Sequence, residues 1–153
     1  MSATLIDLWP AVAAARAAFL QAIEDVTEEQ ALLHPGGEPA EWCVLQVAQH
    51  LLGWTENVDD VICALAEGRA AAKHPRGYLP SDPPATLAEV RSALVHASAR
   101  FLALPARLPA HADPSPTVPH EVYGALNYLD WFARSAPHDA DHQQQVLAIR
   151  RGW

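Results

Sequence analysis

The chain has 153 residues, a formal net charge of −8 and a hydrophobic fraction of 50%. This length suits one core, so residues 1–153 are predicted to form a single domain. Lys and Arg are few and scattered, which argues against nucleic acid or an anionic membrane as partner. No apolar run approaches the ~20 residues of a membrane span, and the N-terminus lacks a basic secretion signal, so we expect a cytoplasmic protein.

Apolar residues at helical spacing predict two long helices in the first half of the chain. The first covers residues 5–27 and tolerates Pro10 in its opening turns. The second covers residues 41–67, after a breaker of Pro and Gly residues. Residues 69–85 are rich in proline and are predicted to form a long connection.

The second half of the chain predicts two more helices. Thr86 and Glu89 have the spacing of a capping box and open a third helix that reaches residue 104. The prolines of residues 105–119 exclude a helix there. This segment either covers a site as a lid or reduces the conformational entropy of the unfolded chain. The fourth helix covers residues 127–151 and is expected to kink at Pro137.

The two cysteines are not expected to pair. Cys43 and Cys63 fall in the same predicted helix, where a rise of ~1.5 Å per residue separates them by about 30 Å. This separation far exceeds the ~7 Å limit of a disulfide. We therefore expect both to be small buried or half-buried side chains.

The four helices predict an all-α protein, a four-helix bundle. His50 lies about nine residues into the second helix, and His142 lies about nine residues before the end of the fourth. These depths match if the two helices run antiparallel. A simple up-down-up-down bundle would make them parallel, whereas a crossover through residues 69–85 gives up-down-down-up, the topology that we predict.

Three of the eight histidines form a candidate metal site. His138 and His142 are four residues apart and share one face of the last helix, on its inward series. His50 flanks the buried stripe of the second helix. Burying three imidazoles without partners costs a few kcal/mol each, and one shared cation would satisfy all of them. The spacing alone leaves open the alternative of core histidines satisfied by internal hydrogen bonds.

The other histidines are interpreted as surface residues: His34, His74 and His111 in Pro-rich loops, and His96 off its helix stripe. His120 precedes the last helix, and a place at the mouth of a site is its less favoured interpretation.

Acidic and aromatic residues also surround the candidate ligands. Asp139 and Asp141 either orient a histidine or belong to a solvated acidic face. Trp54, Tyr128 and Trp131 share one level and either line a pocket or, the favoured alternative, are core aromatics.

Two segments resemble the DinB/YfiT-like superfamily, a damage-inducible family associated with metal-dependent enzymes. Residues 42–51, from Trp42 to His50 and Leu51, resemble its pattern of Trp, seven residues, then His-Leu. Residues 124–127, Asp130-Trp131 and residues 138–146 resemble its closing segment, with His-x-x-x-His-x-x-Gln followed by an apolar residue. Helix order and loop placement extend the resemblance over the whole chain.

The resemblance implies a divalent cation, zinc or nickel, held by His50, His138 and His142. It also implies a thiol-dependent S-transferase or isomerase activity with a low-molecular-weight thiol, and often a homodimer. We therefore expect a metal-dependent thiol transferase or related hydrolase, acting on a small-molecule thiol or electrophile. The alternatives are a metal-binding stress or sensor protein without turnover, and a bundle that acts only through a dimer face. Pro137, directly before His138, departs from an ideal helix and affects how that ring approaches.

Overall fold

Four long helices dominate the computed structural model, which describes residues 3–153. In chain order the elements are α1 (Leu5–Ala22), α2 (Glu28–Ala31), α3 (Val44–Ala66), α4 (Leu87–Leu102), α5 (Leu104–Arg107), β1 (Val118–His120), β2 (Gly124–Leu126) and α6 (Tyr128–Arg151). No helix within the described part of the chain is both long and apolar enough to cross a membrane.

Side-chain caps set the starts of the long helices α4 and α6. At α4 the amide of Glu89 donates to Thr86 Oγ1 at 3.2 Å, and the amide of Thr86 donates to the Glu89 carboxylate at 3.1 Å. At α6 the same reciprocal pair joins Asn127 and Asp130. These bonds satisfy amides that have no partner inside the helix, and they confirm the two predicted helix starts.

Two predicted boundaries in the first half are wrong. The first helix ends at Ala22, and Thr27 instead caps the short helix α2 through its bond from the amide of Gln30. The second helix begins at Val44, so Cys43 precedes it as the N-cap residue. Both cysteines are free, as the sequence predicted.

The segment of residues 105–119 was predicted to contain no helix, and this is wrong at its start. Pro105 lies in the first turn of α5, where a proline needs no amide partner. The hairpin of β1 and β2 was also missed: Val118 pairs with Leu126, and His120 pairs with Gly124. Gly124 closes the turn at φ 76°, a backbone conformation that favours glycine.

Contacts between the long helices give their directions. The middle of α1 meets the middle of α6 through Arg16 and Asp139, and their C-terminal ends meet through Ala22 and Arg150, so the two helices are parallel. One apolar cluster joins the starts of α3 and α4 to the end of α6. Hence α3 and α4 are parallel to each other and antiparallel to α6, and the predicted up-down-down-up bundle is confirmed.

A polar layer crosses the bundle between two apolar clusters. It consists of Arg16, Thr55, Ser98 and Asp139, one residue from each long helix, and all four are buried. On every long helix, one apolar cluster lies before this layer and the other lies after it. Because Asp139 directly follows His138 on α6, the layer lies at the same depth in the bundle as that candidate ligand.

Side chains of α3 hold the long connection, residues 67–86, against the bundle. Asn57 donates to the carbonyl of Ala72 and accepts from the amide of His74, and Gln49 donates to the carbonyl of Pro84. This segment has no regular secondary structure, yet backbone groups of Ala72, His74 and Pro84 are bonded to side chains of α3.

Gly53 lies where this connection crosses α3. A Cβ atom at residue 53 would be 3.0 Å from Pro80 Cγ and 3.5 Å from the ring of Tyr78. The absence of a side chain therefore allows the close approach of the connection to the helix. This approach brings the backbone of Tyr78 next to the side chain of His50.

Candidate metal centre

The structure brings the three predicted histidines together. One ring nitrogen each from His50, His138 and His142 lies within 4.8 Å of the other two. The Nε2 atoms of His50 and His138 are 3.4 Å apart. Two nitrogens bound to one tetrahedral zinc at ~2.0–2.1 Å have about this separation. The antiparallel arrangement of α3 and α6 sets the common depth, and the four-residue spacing puts both α6 rings on one face.

Hydrogen bonds orient two of the rings. His50 Nδ1 donates to the carbonyl of Tyr78 at 2.7 Å, since a carbonyl can only accept. His142 Nδ1 pairs with the side-chain oxygen of Gln145 at 2.9 Å and donates to it. Each neutral ring is then left with a lone pair on Nε2, the atom available to a metal.

His138 gives the strongest sign that a cation belongs here. Its Nδ1 is buried without a hydrogen-bond partner and lies 3.7 Å from the Asp139 carboxylate. With a proton on Nδ1, facing that carboxylate, the ring has a lone pair on Nε2 that faces the lone pair of His50. With the proton on Nε2 instead, the bare Nδ1 faces a carboxylate oxygen. In either neutral form, two acceptor atoms therefore face each other with no proton between them. In the first form, a cation bound by both Nε2 lone pairs would remove this repulsion.

Burial favours the neutral form of two of the three rings, His50 and His138. Burial lowers the pKa of His138 to about 4, and the nearby Asp139 only partly opposes this effect. Burial also lowers the pKa of His50 below its ordinary value, against the bond to the Tyr78 carbonyl, which raises it. Neutral imidazole is the form that binds a metal, so two of the three rings are in that form at neutral pH. An all-imidazole donor set suits first-row transition metals, including zinc, copper, iron and nickel.

The rings face a cavity of about 520 Å³. Trp54 stacks on His138 with ring centroids 4.0 Å apart, and Trp131 forms another part of the wall. Trp131 is buried in an apolar cluster and Trp54 packs against that cluster, as the favoured interpretation predicted, and both also line the cavity. Tyr128, the third predicted aromatic, packs against the apolar cluster, and its hydroxyl contacts the carbonyl of Ala112.

Two histidines outside the cluster line the cavity. His74 is exposed, as predicted, and also contributes to the cavity wall, whereas His120 takes the less favoured of its two predicted places, beside the site. His34 is half-buried and its Nδ1 contacts the carbonyl of Glu41 at 2.6 Å. His96 and His111 are exposed, as predicted.

Asp139 is neither a solvated residue nor a simple partner of a histidine. It is fully buried and binds Arg16 through two hydrogen bonds, at 2.7 and 3.2 Å. Asp141 is exposed and lies at the cavity wall. The buried position of Arg16 was not predicted, although its spacing from Val12 and Phe19 places it on the apolar stripe of α1.

Of the two alternatives for residues 105–119, the structure does not support a lid. Among the described residues, none of those from 105 to 119 lines the cavity, so the proline-rich segment does not cover it. The walls opposite the helices come instead from residues 73–78 of the long connection and from residues 120–123 of the hairpin. Pro137 does not interrupt α6, which continues past it to Arg151.

Comparison with known proteins supports the same fold. A family model described as DinB superfamily matches residues 11–146. The crystal structure of TT2238, described as a four-helix bundle protein, is 26% identical, with a TM-score of 0.69 over 95% of this chain and 99% of that one. No curated protein matches the chain.

Proposed function

Since the chain belongs to the DinB superfamily, we propose that His50, His138 and His142 bind one divalent metal ion, zinc or nickel, and that the site transfers a low-molecular-weight thiol to an electrophile. The observation that carries the proposal is the convergence of three ring nitrogens within 4.8 Å. The facing Nε2 atoms of His50 and His138 add to this argument. A cation between them would bind both lone pairs and remove their mutual repulsion.

Three protein ligands leave a coordination position open, as in catalytic zinc sites. A bound ion would lower the pKa of a thiol or a water and so supply the nucleophile, the second case being that of a related hydrolase. Tyr78 and Gln145 hold the ring orientations of His50 and His142. Trp54 and Trp131 contribute aromatic rings to the cavity wall beside these ligands.

The cytoplasm is the compartment that suits this reaction, because thiols are kept reduced there. The free thiols of Cys43 and Cys63 are compatible with that location. A homodimer is part of the same proposal, and the mass in solution, measured by light scattering, tests it.

A metal-binding stress or sensor protein without turnover is the second candidate. One observation favours it: within residues 3–153, each carboxylate near the cavity is either engaged or exposed. Asp139 binds Arg16, Glu121 binds Lys73, and Asp141 is exposed. Among the described residues, no carboxylate near the cavity is thus both buried and without an ion-pair partner.

Metal content tests the site. Protein purified without a chelating tag and supplied with zinc or nickel should contain about one ion per chain, measured by elemental analysis. Less than ~0.2 ion per chain would contradict both metal-dependent candidates. The variant His50→Ala should lose high-affinity binding, whereas His96→Ala, at an exposed position, should retain it. Equal retention by the two variants would contradict the ligand assignment.

Conjugation of an electrophilic test substrate separates the two candidates. Each of several low-molecular-weight thiols is assayed with the zinc-loaded protein, the metal-free protein and the His50→Ala variant. A rate that depends on both the metal and His50 supports the transferase. Full metal occupancy without a metal-dependent rate, with every thiol tried, favours the protein without turnover.

A further inference from the structure

The hairpin side of the cavity carries an arginine without an anionic partner. Arg134 lies on α6 and lines the cavity, and its guanidinium stacks on the ring of Tyr123 at 3.8 Å. Among residues 3–153, no carboxylate lies within ion-pairing distance of it, and no acceptor takes a hydrogen bond from its guanidinium. The stacking fixes the plane of the guanidinium, which leaves its N–H groups available for a ligand.

His120 adds a second donor on the same side. Its Nδ1 accepts from the backbone amides of Val122 and Tyr123, at 3.0 and 3.3 Å. The proton of the neutral ring is therefore on Nε2, which has no hydrogen-bond partner in the described chain. The hairpin turn thus fixes His120 as a donor rather than as a metal ligand.

The charges around His120 are mainly positive. Burial lowers the pKa of His120, and Lys73, Arg134 and Arg76 lower it further, while Glu121 acts in the opposite direction. Lys73 is paired with Glu121. Arg76 and Arg134 remain as cations without a carboxylate partner among the described residues, so an acceptor with negative charge is favoured here.

The wall itself contains another donor that lacks an acceptor. The Nε1 atom of Trp131 is buried and has no hydrogen-bond partner. Its ring is 5.6 Å from that of His120, measured between centroids. The hairpin side of the cavity thus presents hydrogen-bond donors, whereas the histidine cluster presents lone pairs.

We propose that Arg134 and His120, with Arg76 at the rim, form a subsite for the carboxylate group of a small organic acid. Arg134 would bind the carboxylate through two parallel N–H bonds, a geometry that a guanidinium matches and a lysine does not. His120 Nε2 would donate a further hydrogen bond. The aromatic rings of Trp54, Trp131 and Tyr123 on the wall favour a planar molecule.

Arg134 lies on the same face of α6 as two of the three histidines, His138 and His142. Arg134 precedes His138 by four residues and His142 by eight, which corresponds to about 6 and 12 Å along the axis. A molecule with its carboxylate on Arg134 therefore extends its other end toward the histidines. The proposal rests on the proposed function for the chemistry at that end, but carboxylate binding itself does not require the metal.

Binding of benzoate, with benzamide as its uncharged counterpart, tests the subsite. The dissociation constants are measured by calorimetry on the zinc-loaded protein and on the metal-free protein. We expect benzoate to bind more tightly than benzamide in both states. The variant Arg134→Gln should weaken benzoate binding by at least about tenfold, because hydrogen bonds to charged groups are lost.

Arg151→Gln is the matched control, since Arg151 is exposed at the far end of the same helix. It should leave benzoate binding unchanged, and Arg134→Lys should fall between Arg134→Gln and the wild type. Equal benzoate affinity in Arg134→Gln and Arg151→Gln would overturn the proposal. Benzoate binding that disappears with the metal and is insensitive to Arg134 would also overturn it, because the carboxylate would then be a metal ligand.

A pair of thiols identifies which reactant carries the carboxylate. In the zinc-loaded protein, a preference for 3-mercaptopropionate over 2-mercaptoethanol that Arg134→Gln removes assigns the carboxylate to the thiol. The absence of such a preference, with benzoate binding intact, assigns it to the electrophile. Failure of thiol transfer with Arg134-dependent benzoate binding retained would refute the proposed function and leave the subsite standing.

Discussion

His138 and Asp139 are neighbours in the chain but belong to two different polar regions. Asp139 lies in the buried layer, where every nitrogen of the Arg16 guanidinium has a partner in Asp139, Ser98 or Thr55. His138 lies at the cavity, where its Nδ1 has none. The first region is complete without a ligand, and the second is not. Polar groups that satisfy one another hold the fold together, and groups left unsatisfied mark the place for a ligand.

The largest expected effect on stability comes from a substitution in the buried polar layer. Asp139→Ala leaves the Arg16 charge buried and unpaired, which should lower the free energy of unfolding by about 3–5 kcal/mol. Urea denaturation followed by circular dichroism measures the loss. Asp141→Ala, at an exposed residue two positions away, should change stability by no more than about 0.5 kcal/mol. A loss below ~1 kcal/mol for Asp139→Ala would mean that the layer contributes little to stability.

The incomplete region should make the metal-free protein sensitive to acid. The unfolded chain takes up a proton at His138 near pH 6.5, whereas burial delays uptake in the folded chain to about pH 4. The free energy of unfolding should therefore fall as the pH falls through this window, by up to about 3 kcal/mol from His138. His50, whose pKa is also lowered, acts in the same direction.

Denaturation curves at several pH values check this effect. The stability of His138→Gln should depend less on pH between 6.5 and 4 than that of the wild type, while His96→Gln should follow the wild type. Identical pH dependence in wild type and His138→Gln would show that His138 is not shielded from protons in the folded state.

The smallest expected effect concerns the partner of His142. Gln145→Ala removes the acceptor that orients this ring, and zinc affinity should fall by about tenfold, the lower end of the range for such partners. Competition with a chromophoric chelator measures the change. Gln144→Ala, at the adjacent exposed position, is the control and should leave the affinity unaltered. Equal affinity in both variants would show that Gln145 does not orient the ligand.

The fold and the histidine cluster could be predicted because both depend on regular helix geometry. A four-residue spacing and a common depth are properties of the sequence, so His50, His138 and His142 could be placed together. Arg16 and Asp139 are separated by 123 residues, and only the assembled bundle shows that they pair. An arginine within an alanine-rich helix carries no local sign of its partner.

The hairpin was beyond the reach of the sequence for a different reason. Its strands have three residues each, and one contains Pro119, so no alternating pattern forms. The donor role of His120 depends on the backbone amides of this turn, which periodicity does not describe. The hairpin side of the cavity, which includes Arg134, was therefore not predicted.

Gly53 links helix stability to ligand geometry. Within a helix, glycine is about 1 kcal/mol less favourable than alanine, so alanine at residue 53 would stabilise the isolated helix. In the folded protein its methyl group would push against Pro80 and the ring of Tyr78. The displaced segment carries the carbonyl that fixes the proton on His50. At residue 53, alanine would thus favour the helix itself, whereas glycine preserves the hydrogen bond from His50 Nδ1 to the Tyr78 carbonyl. That bond determines the tautomer of His50.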